Sequence, residues 1–402
     1  MDALRNRIIE YADAQYPVYR SLALDIHAHP EVSNYEFHAC EVLTRQLAAE
    51  GFEVKVDVAG HRTGFTGVYK AKKPGPVLVF PAEYDALAGL GHGCGHNLFG
   101  PTSLLAAAAL KQVIDEAGGE VRVYGTPGEE GGENGSAKGS FVREGCLRDV
   151  DAALCVHPGD CNTPTTEMLA CAPADIEFWG KSAHAASAPE QGINALDALI
   201  LTYNGINALR QHLPKDAMIH GIIVNGGKAP NAVPDYAAAK FYFRSSTAPG
   251  LMAVYHRVEK IVEGAALMTG AKGRLQPYQN VVENVLLTPS FDEVYAKNFA
   301  LLGEELKAPA SKIGLGSSDV GNFSQVVPTI QPTIRITEGP TPWHSEASKA
   351  AACSEMGLRS IALGAKALAL TALDLIEDPR LLDVIKAEHK AAQKEQARKA
   401  GV

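Results

Sequence analysis

Three short strand-like runs, each giving way at once to polar residues, constrain the fold of this chain more than any other feature. Val77-Leu78-Val79-Phe80 lies between Pro76 and Pro81 and leads to Glu83 and Asp85. Residues 121–124 precede Thr126-Pro127-Gly128-Glu129-Glu130, and residues 152–156 end at His157. Short apolar runs of this kind suit strands buried on both faces, as in parallel sheets covered by helices. An Ala-rich helix over 103–117 separates the first two, so strand, loop and helix alternate. The reading is an α/β fold with a mostly parallel central sheet and helices on both faces. Open α/β sheets place their sites at the carboxyl ends of the strands, so the polar residues that follow these runs are expected to converge.

Residues 3–50 read as amphipathic helices broken at His29-Pro30, and 54–58 alternate like a strand. From about residue 173 the texture changes to a strand at 175–179, a helix at 192–212, strands at 218–225 and 236–244, and a helix at 249–269. This describes a small α+β sandwich. After about 288 the α/β texture resumes, with a helix at 290–305, a loop at 314–323, a strand near 329–336 and helices from 345; the tail from 383 reads as an exposed helix. At 402 residues the chain is too long for one compact core. A small domain (173–287) inserted into a larger one (1–172 and 288–402) explains the order.

A hydrophobic content of 46% and a charged content of 21% are those of a globular protein. The net charge of −9, with no basic block, argues against nucleic-acid or anionic-membrane partners. Seven scattered cysteines without a CxxC pair indicate a reducing compartment. No apolar stretch follows Met1 and no run of about 18 apolar residues occurs. The expectation is a soluble cytoplasmic protein.

The chemistry gathers around Gly89-Leu-Gly-His-Gly-Cys-Gly-His96. Cys94 and His96 flank one glycine in a segment with too little bulk for a core, and a thiolate with an imidazole can close on one transition metal. Glu129 and Glu130 are adjacent carboxylates in a Gly-rich turn. Two neighbouring Glu side chains do not readily point at one ion, so one is expected to coordinate and the other to act as a general base on water; a solvated acidic loop is the alternative. His157 and His344 (in Thr-Pro-Trp-His-Ser) are further candidate ligands, and Asp85 a candidate to orient a ligand imidazole from behind. Two divalent ions need a bridging ligand and several terminal ones. Cys94 suits the bridge, with His96, Glu130, His157 and His344 around it. A Cys/His/Glu set suits Zn, Mn, Ni or Co rather than Mg or Ca.

Asp25-Ile-His-Ala-His-Pro-Glu31, Glu83-Tyr-Asp-Ala-Leu87, Gly91-His-Gly-Cys-Gly-His-Asn97, Pro127-Gly-Glu-Glu130 and Asn231-Ala-Val-Pro-Asp235 resemble the M20 metallopeptidases, most closely their amidohydrolase branch (subfamily D). The resemblance covers nearly the whole chain in order. Asn97 and Gly316-Ser-Ser-Asp-Val-Gly-Asn-Phe-Ser324 look like two subgroups, the M20 domain-containing dipeptidases and the aminobenzoyl-glutamate hydrolases. It implies a zinc-peptidase-like di-metal hydrolase of small N-acyl or aminoacyl amino acids, with Cys94, His96, Glu130, His157 and His344 as ligands and Glu129 as base. It implies too that 173–287 is a lid that forms a homodimer. His184, in Gly180-Lys-Ser-Ala-His184, takes its role from the resemblance alone: stabilising the oxyanion, often from the partner subunit. Asn231 and Arg244 are candidates to grip a substrate carboxylate, since an Arg fork matches that geometry; a strand-end surface arginine is the alternative for Arg244. One departure is that Glu83 stands where other M20 branches have a metal-binding His.

Other classes fit less well. No register of 89–100 satisfies GxGxxG, each ending on Cys94, His96 or Leu98. The 131–140 loop lacks GxxxxGK[ST] despite Lys138, and Gly316-Ser317-Ser318-Asp319 is not GxSxG. A non-catalytic metal-binding or regulatory protein remains as the alternative, and it would have no need of Glu129.

Overall fold

A computed structural model describes residues 2–308 and 316–400. The chain opens with α1 (Ala3–Ala28), capped by the Asp2 carboxylate on the Arg5 N–H, and α2 (Phe37–Ala49), with the break at His29-Pro30 as expected. A hairpin follows, β1 (Glu53–Val58) and β2 (His61–Lys70). Then come β3 (Val77–Ala82), α3 (His96–Ala117), β4 (Glu120–Gly125), α4 (Ala137–Arg143), β5 (Ala152–Leu154) and β6 (His157–Gly159). The sheet runs β1-β2-β4-β3-β5 and ends on β11 (Thr329–Ile330). β3 pairs in parallel with β4 and β5, and β5 with β11, while the β1–β2 and β2–β4 pairings are antiparallel.

The alternation of side chains across this sheet explains its burial on both faces. Leu78, Phe80, Val121, Val123, Ala152 and Leu154 point into the larger core, which is closed by α1, α3 and α10 (Glu355–Glu377). Val79, Tyr124 and Ala153 point the other way, onto Phe141 of α4 and Phe323 of α8 (Val320–Ser324).

The second core draws its buried residues from Ala170 to Ala271. It is built on β7 (Ala170–Trp179), α5 (Ala195–Arg210), β8 (Met218–Asn225), β9 (Tyr236–Ser245), α6 (Ala248–Thr269) and β10 (Lys272–Pro277). The antiparallel order is β10-β7-β9-β8. Ala172, Ala174, Ile176 and Phe178 alternate inward beside Ala237, Ala239, Phe241 and Phe243, against α5 and α6. β8 is an edge, and Ile222, Ile223 and Val224 on it are 45–65% exposed. The chain then returns through α7 (Pro289–Leu301), α8, β11, β12 (Thr333–Arg335), which pairs with β6, α9 (Glu346–Ala351), α10 and α11 (Pro379–Ala400).

Several boundaries differ from the sequence reading. α3 starts at His96, not 103, and continues through Pro101. Of the expected loop at 314–323, residues 314–315 lie outside the described residues and 320–324 form α8. The expected strand near 329–336 is two short strands in different sheets, divided at Gln331-Pro332, because proline has no N–H to continue a ladder. No helix among the described residues is long and apolar enough to cross a membrane.

Candidate metal centre

The segment after β3 carries Glu83 and Asp85, both buried. Farther along, Gly95 turns the chain with φ +83° and caps α3, whose first residue is His96. A Cβ at Gly95 would lie 3.0 Å from the Pro158 ring, so this approach of two strand-end segments requires glycine. Asp85 locks the arrangement. Its Oδ1 accepts from His96 Nδ1 at 2.9 Å and its Oδ2 accepts the Glu130 N–H at 2.9 Å. With Nδ1 held by Asp85, His96 aims Nε2 into the site, where the neutral ring presents a lone pair. His157, just past β5, has its Nδ1 2.7 Å from the Pro158 carbonyl, which likewise leaves Nε2 free, 3.5 Å from Cys94 Sγ. Burial pushes the His157 imidazole down to about 4, so it stays neutral, the form that binds a metal.

β4 delivers Thr126-Pro127-Gly128-Glu129-Glu130, a turn with φ +68° at Gly128. Buried Glu36 fixes it, accepting the Gly128 N–H at 2.9 Å and the Thr63 hydroxyl at 2.8 Å. Burial, with Asp85 nearby, pushes the Glu36 acid up to about 8. Glu130 Oε1 lies 3.6 Å from His344 Nε2. His344 sits in the left-handed region at φ +57°, a strained backbone of the sort functional sites hold, just before Ser345 caps α9. Glu129 Oε2 is 3.9 Å from His96 Nε2.

Two donor triads contain Cys94, Cys94/His96/His157 and Cys94/Glu130/His344, each with its ligand atoms within 4.8 Å of one another; Glu83/His96/Glu129 groups as closely beside them, and Asp25/His29/His38 forms a further such group. Two donors about 2.0–2.3 Å from one tetrahedral ion stand roughly 3.3–3.6 Å apart, so the 3.5 Å and 3.6 Å separations already have the spacing of ligands. His96 Nε2 and Glu130 Oε1 are buried without a hydrogen-bond partner, and such atoms are costly unless a cation takes them. The charge balance points the same way. Burial, Glu83 and Glu130 push the Glu129 acid well up; burial and Glu130 do the same to the Cys94 thiol. A crowded set of acids held unfavourable for ionisation is what divalent cations relieve. The donor set fits two transition-metal ions.

Beside the triads lies a cavity of about 350 Å³, lined by Glu129, Glu130 and His344 from one side and Tyr242, Arg244 and Gln279 from the other. Arg244, near the end of β9, donates to Ser317 Oγ at 2.9 Å and lies against the Tyr242 ring. His184 and Asn231 do not line it. Both are exposed on paired loops of the smaller unit, where the Ala185 N–H donates to the Asn231 carbonyl at 3.0 Å and His184 Nδ1 accepts from the Ser187 N–H at 3.1 Å. Within one chain the fold therefore gathers Asp85, Cys94, His96, Glu129, Glu130, His157, His344 and Arg244, and leaves His184 and Asn231 apart.

Sequence reasoning missed the supports. Glu36 escaped notice, and Lys138 was weighed only as a phosphate-loop lysine, whereas it is fully buried against Glu83 and Asp319. The available signal was a lone lysine between the small residues Ala137 and Gly139, next to a Gly-rich turn.

Residues 172–267 match a family model described as a peptidase dimerisation domain. The chain is 31% identical to the Xaa-Arg dipeptidase of Mus musculus, over 98% of this chain and 94% of that protein. It is 40% identical to one of the subunits of the p-aminobenzoyl-glutamate hydrolase of Escherichia coli K12, over 67% of this chain and 59% of that subunit. Among solved structures, a dinuclear metal-binding peptidase of the M20 family from Bacillus subtilis shares the fold with a TM-score of 0.61 at 21% identity, covering 90% of this chain and 99% of that one.

Proposed function

Because this chain belongs to the M20 family of metallopeptidases, we propose that the two triads sharing Cys94 hold a pair of divalent transition-metal ions (Zn, Mn, Co or Ni) and that Glu129 is the general base beside them. The protein is a metal-dependent hydrolase of amide bonds, and its named relatives lend no support to a non-catalytic reading. The observation that supports the residue roles is that Glu129 lies outside both triads that share Cys94, 3.9 Å from His96 Nε2, and lines the cavity beside them.

When bound, the ions supply Lewis acidity to an amide carbonyl and to an attacking water. Glu129 takes the proton of that water. Lining the cavity at the edge of the centre, it stands where it can hold the proton and return it to the leaving nitrogen. Asp85 keeps His96 and the Glu130 backbone in register. Arg244, steadied by Ser317 and facing the cavity, suits a free carboxylate on the amino-acid half of the substrate. A small N-acyl or aminoacyl amino acid is therefore the proposed substrate class, in keeping with relatives named for Xaa-Arg dipeptides and for aminobenzoyl-glutamate.

We assign 1–172 and 288–402 to the catalytic unit and 173–287 to a lid, an assignment supported by the two separate cores. The exposed apolar edge of β8 supports a homodimer through the lid, in which His184 and Asn231 reach the partner's cavity. Seven free cysteines support a reducing, cytoplasmic setting.

A hydrolysis screen of N-acyl and aminoacyl amino acids, each also with its carboxylate capped as an amide, under Mn, Zn, Co and Ni in turn, tests this. Uncapped substrates should turn over and capped ones should not. Glu129→Ala should lower kcat by about 10²–10⁴ with metal content near wild type. Surviving activity removes Glu129 from its role; no turnover in any combination returns the non-catalytic reading.

A further inference from the structure

Three buried charges, Glu83, Lys138 and Asp319, stand against the metal centre outside both Cys94 triads; Glu83 groups with His96 and Glu129 instead. Lys138, in the first turn of α4, donates from Nζ to Glu83 Oε1 at 2.7 Å and to Asp319 Oδ1 at 2.5 Å. Its backbone N–H donates to the other oxygen of Asp319, at 3.1 Å. One lysine thus joins the segment after β3, the start of α4 and the turn before α8. Buried ion pairs seldom add net stability, because desolvating the charges offsets their attraction. The arrangement therefore calls for another explanation, and the orientation of Glu83 offers one.

Lys138 occupies Glu83 Oε1. Glu83 Oε2 is buried without a hydrogen-bond partner and lies 3.2 Å from His96 Nε2, which also has none. With His96 Nδ1 turned to Asp85, Nε2 is the ring atom that meets Glu83, and it carries a lone pair whenever the ring is neutral. A carboxylate oxygen and a ring lone pair facing each other at this distance repel unless something positive lies between them. Oxygen and nitrogen donors on one tetrahedral ion, each about 2.0–2.1 Å from it, stand roughly 3.3 Å apart. The observed separation matches.

We propose that Glu83 is a fourth protein ligand for the ion held by Cys94, His96 and His157, with Lys138 as the positioning residue that turns Oε2 toward it. The proposal rests on the reading of the two triads as a metal centre. It makes the two positions unequal. One has four protein donors and none of Cys94, His96, His157 or Glu83 lines the substrate cavity; the other has three, of which Glu130 and His344 do line it. A position closed by four protein donors suits a retained ion, and one with three leaves room for exchange.

The experiment is chelator titration of the full-length zinc-loaded protein, with metal counted by mass spectrometry, alongside visible spectra of the cobalt-substituted protein. Wild type should release its ions in two separate steps. Glu83→Gln should weaken the tighter step at least tenfold, leave the looser one unchanged and alter the cobalt spectrum. Lys138→Met should weaken the same step and no other. Glu83→Asp keeps the charge and nearly the volume but falls one methylene short, so it must show the same selective loss even if the glutamine variant does not fold. An unchanged tight step and cobalt spectrum in Glu83→Gln and Glu83→Asp would overturn the proposal, with a shared proton then bridging Glu83 and His96. If wild type binds no ion, or Cys94→Ala keeps both, the metal-centre reading fails instead.

Discussion

Replacing Gly95 with alanine tests the geometry that brings the donors together. Gly95 has φ +83° and ψ 17°, and a left-handed backbone costs an L-residue roughly 1–2 kcal/mol. The added methyl would also stand 3.0 Å from Cβ and Cγ of Pro158, inside the usual carbon contact of about 3.5–4.0 Å. A proline ring has no rotamer with which to retreat, and overpacking of this kind typically costs about 1–3 kcal/mol. The lower unfolded-chain entropy of alanine offsets up to about 1 kcal/mol. The net expectation is a loss of roughly 1–4 kcal/mol.

The neighbouring Gly89 separates the two contributions. It has φ +75°, but a methyl added there would meet nothing within 4 Å, so Gly89→Ala should carry only the backbone cost less the same entropy offset, about 0–2 kcal/mol. Relief of the Pro158 clash can come only by moving the Cys94–His96 turn away from the His157 segment, which lengthens the 3.5 Å Cys94–His157 separation. Because both triads share Cys94, both metal affinities should fall in Gly95→Ala and neither in Gly89→Ala. Urea denaturation of the metal-free proteins gives the first quantity and chelator competition the second. Equal stabilities for the two variants, or unchanged metal affinity in Gly95→Ala, would refute the reasoning.

Two further outcomes follow from particular contacts. Asp292, at the start of α7, accepts both the N–H and the hydroxyl of Thr165 at 2.8 Å, and burial pushes its acid from 3.8 up to about 6. An acid whose folded value lies above its unfolded one favours folding fully below the unfolded value and loses that contribution as pH rises. Between pH 4 and 6 its share of the stability should fall by about 2 kcal/mol, of the roughly 3 kcal/mol it contributes at low pH. Asp292→Asn keeps a carbonyl acceptor without the ionisation, so urea denaturation across this range should show the variant gaining on wild type; a difference independent of pH would remove the titration from the account. For the dimer, mixing inactive Glu129→Ala and His184→Ala chains should restore roughly a quarter of wild-type activity if His184 acts across a two-fold interface, and none if it acts within its own chain.

What the sequence made legible follows from where burial imposes a pattern. β3 and β5 are covered on both faces, so nearly every residue is apolar and they stand out as short runs. In the smaller unit, the strands expected at 218–225 and 236–244 appear as β8 and β9. β10 escaped because its Lys272–Pro277 residues are largely exposed at an edge, where no apolar period is needed. β2 escaped for a different reason: apart from Phe65, its buried positions are His61, Thr63, Gly64 and Gly67, too polar or too small to register as an apolar run, and a Cβ at Gly67 would lie 2.9 Å from Leu47. The Ala-rich run marks α3 only from 103, whereas the helix opens at His96 and carries Pro101 inside.

The same logic divides the site. Its proposed metal donors belong to the few residue types able to bind transition metals, and they follow strands or sit in rigid turns, so type and position together betray them. Their supports are ordinary charged residues. Lys138 is defined by Glu83, 55 positions away, and Asp319, 181 away; Glu36 is defined by the Gly128 N–H, 92 away. Nothing local marks them, because what makes a buried lysine tolerable is a pair of carboxylates that only the folded chain brings beside it. The glycines occupy the ground between. Gly95 is visible as composition, but its necessity depends on Pro158, which β6 brings alongside. A donor set can therefore be read from a chain whose fold class is known, while the bonds that aim each donor depend on partners no spacing rule encodes.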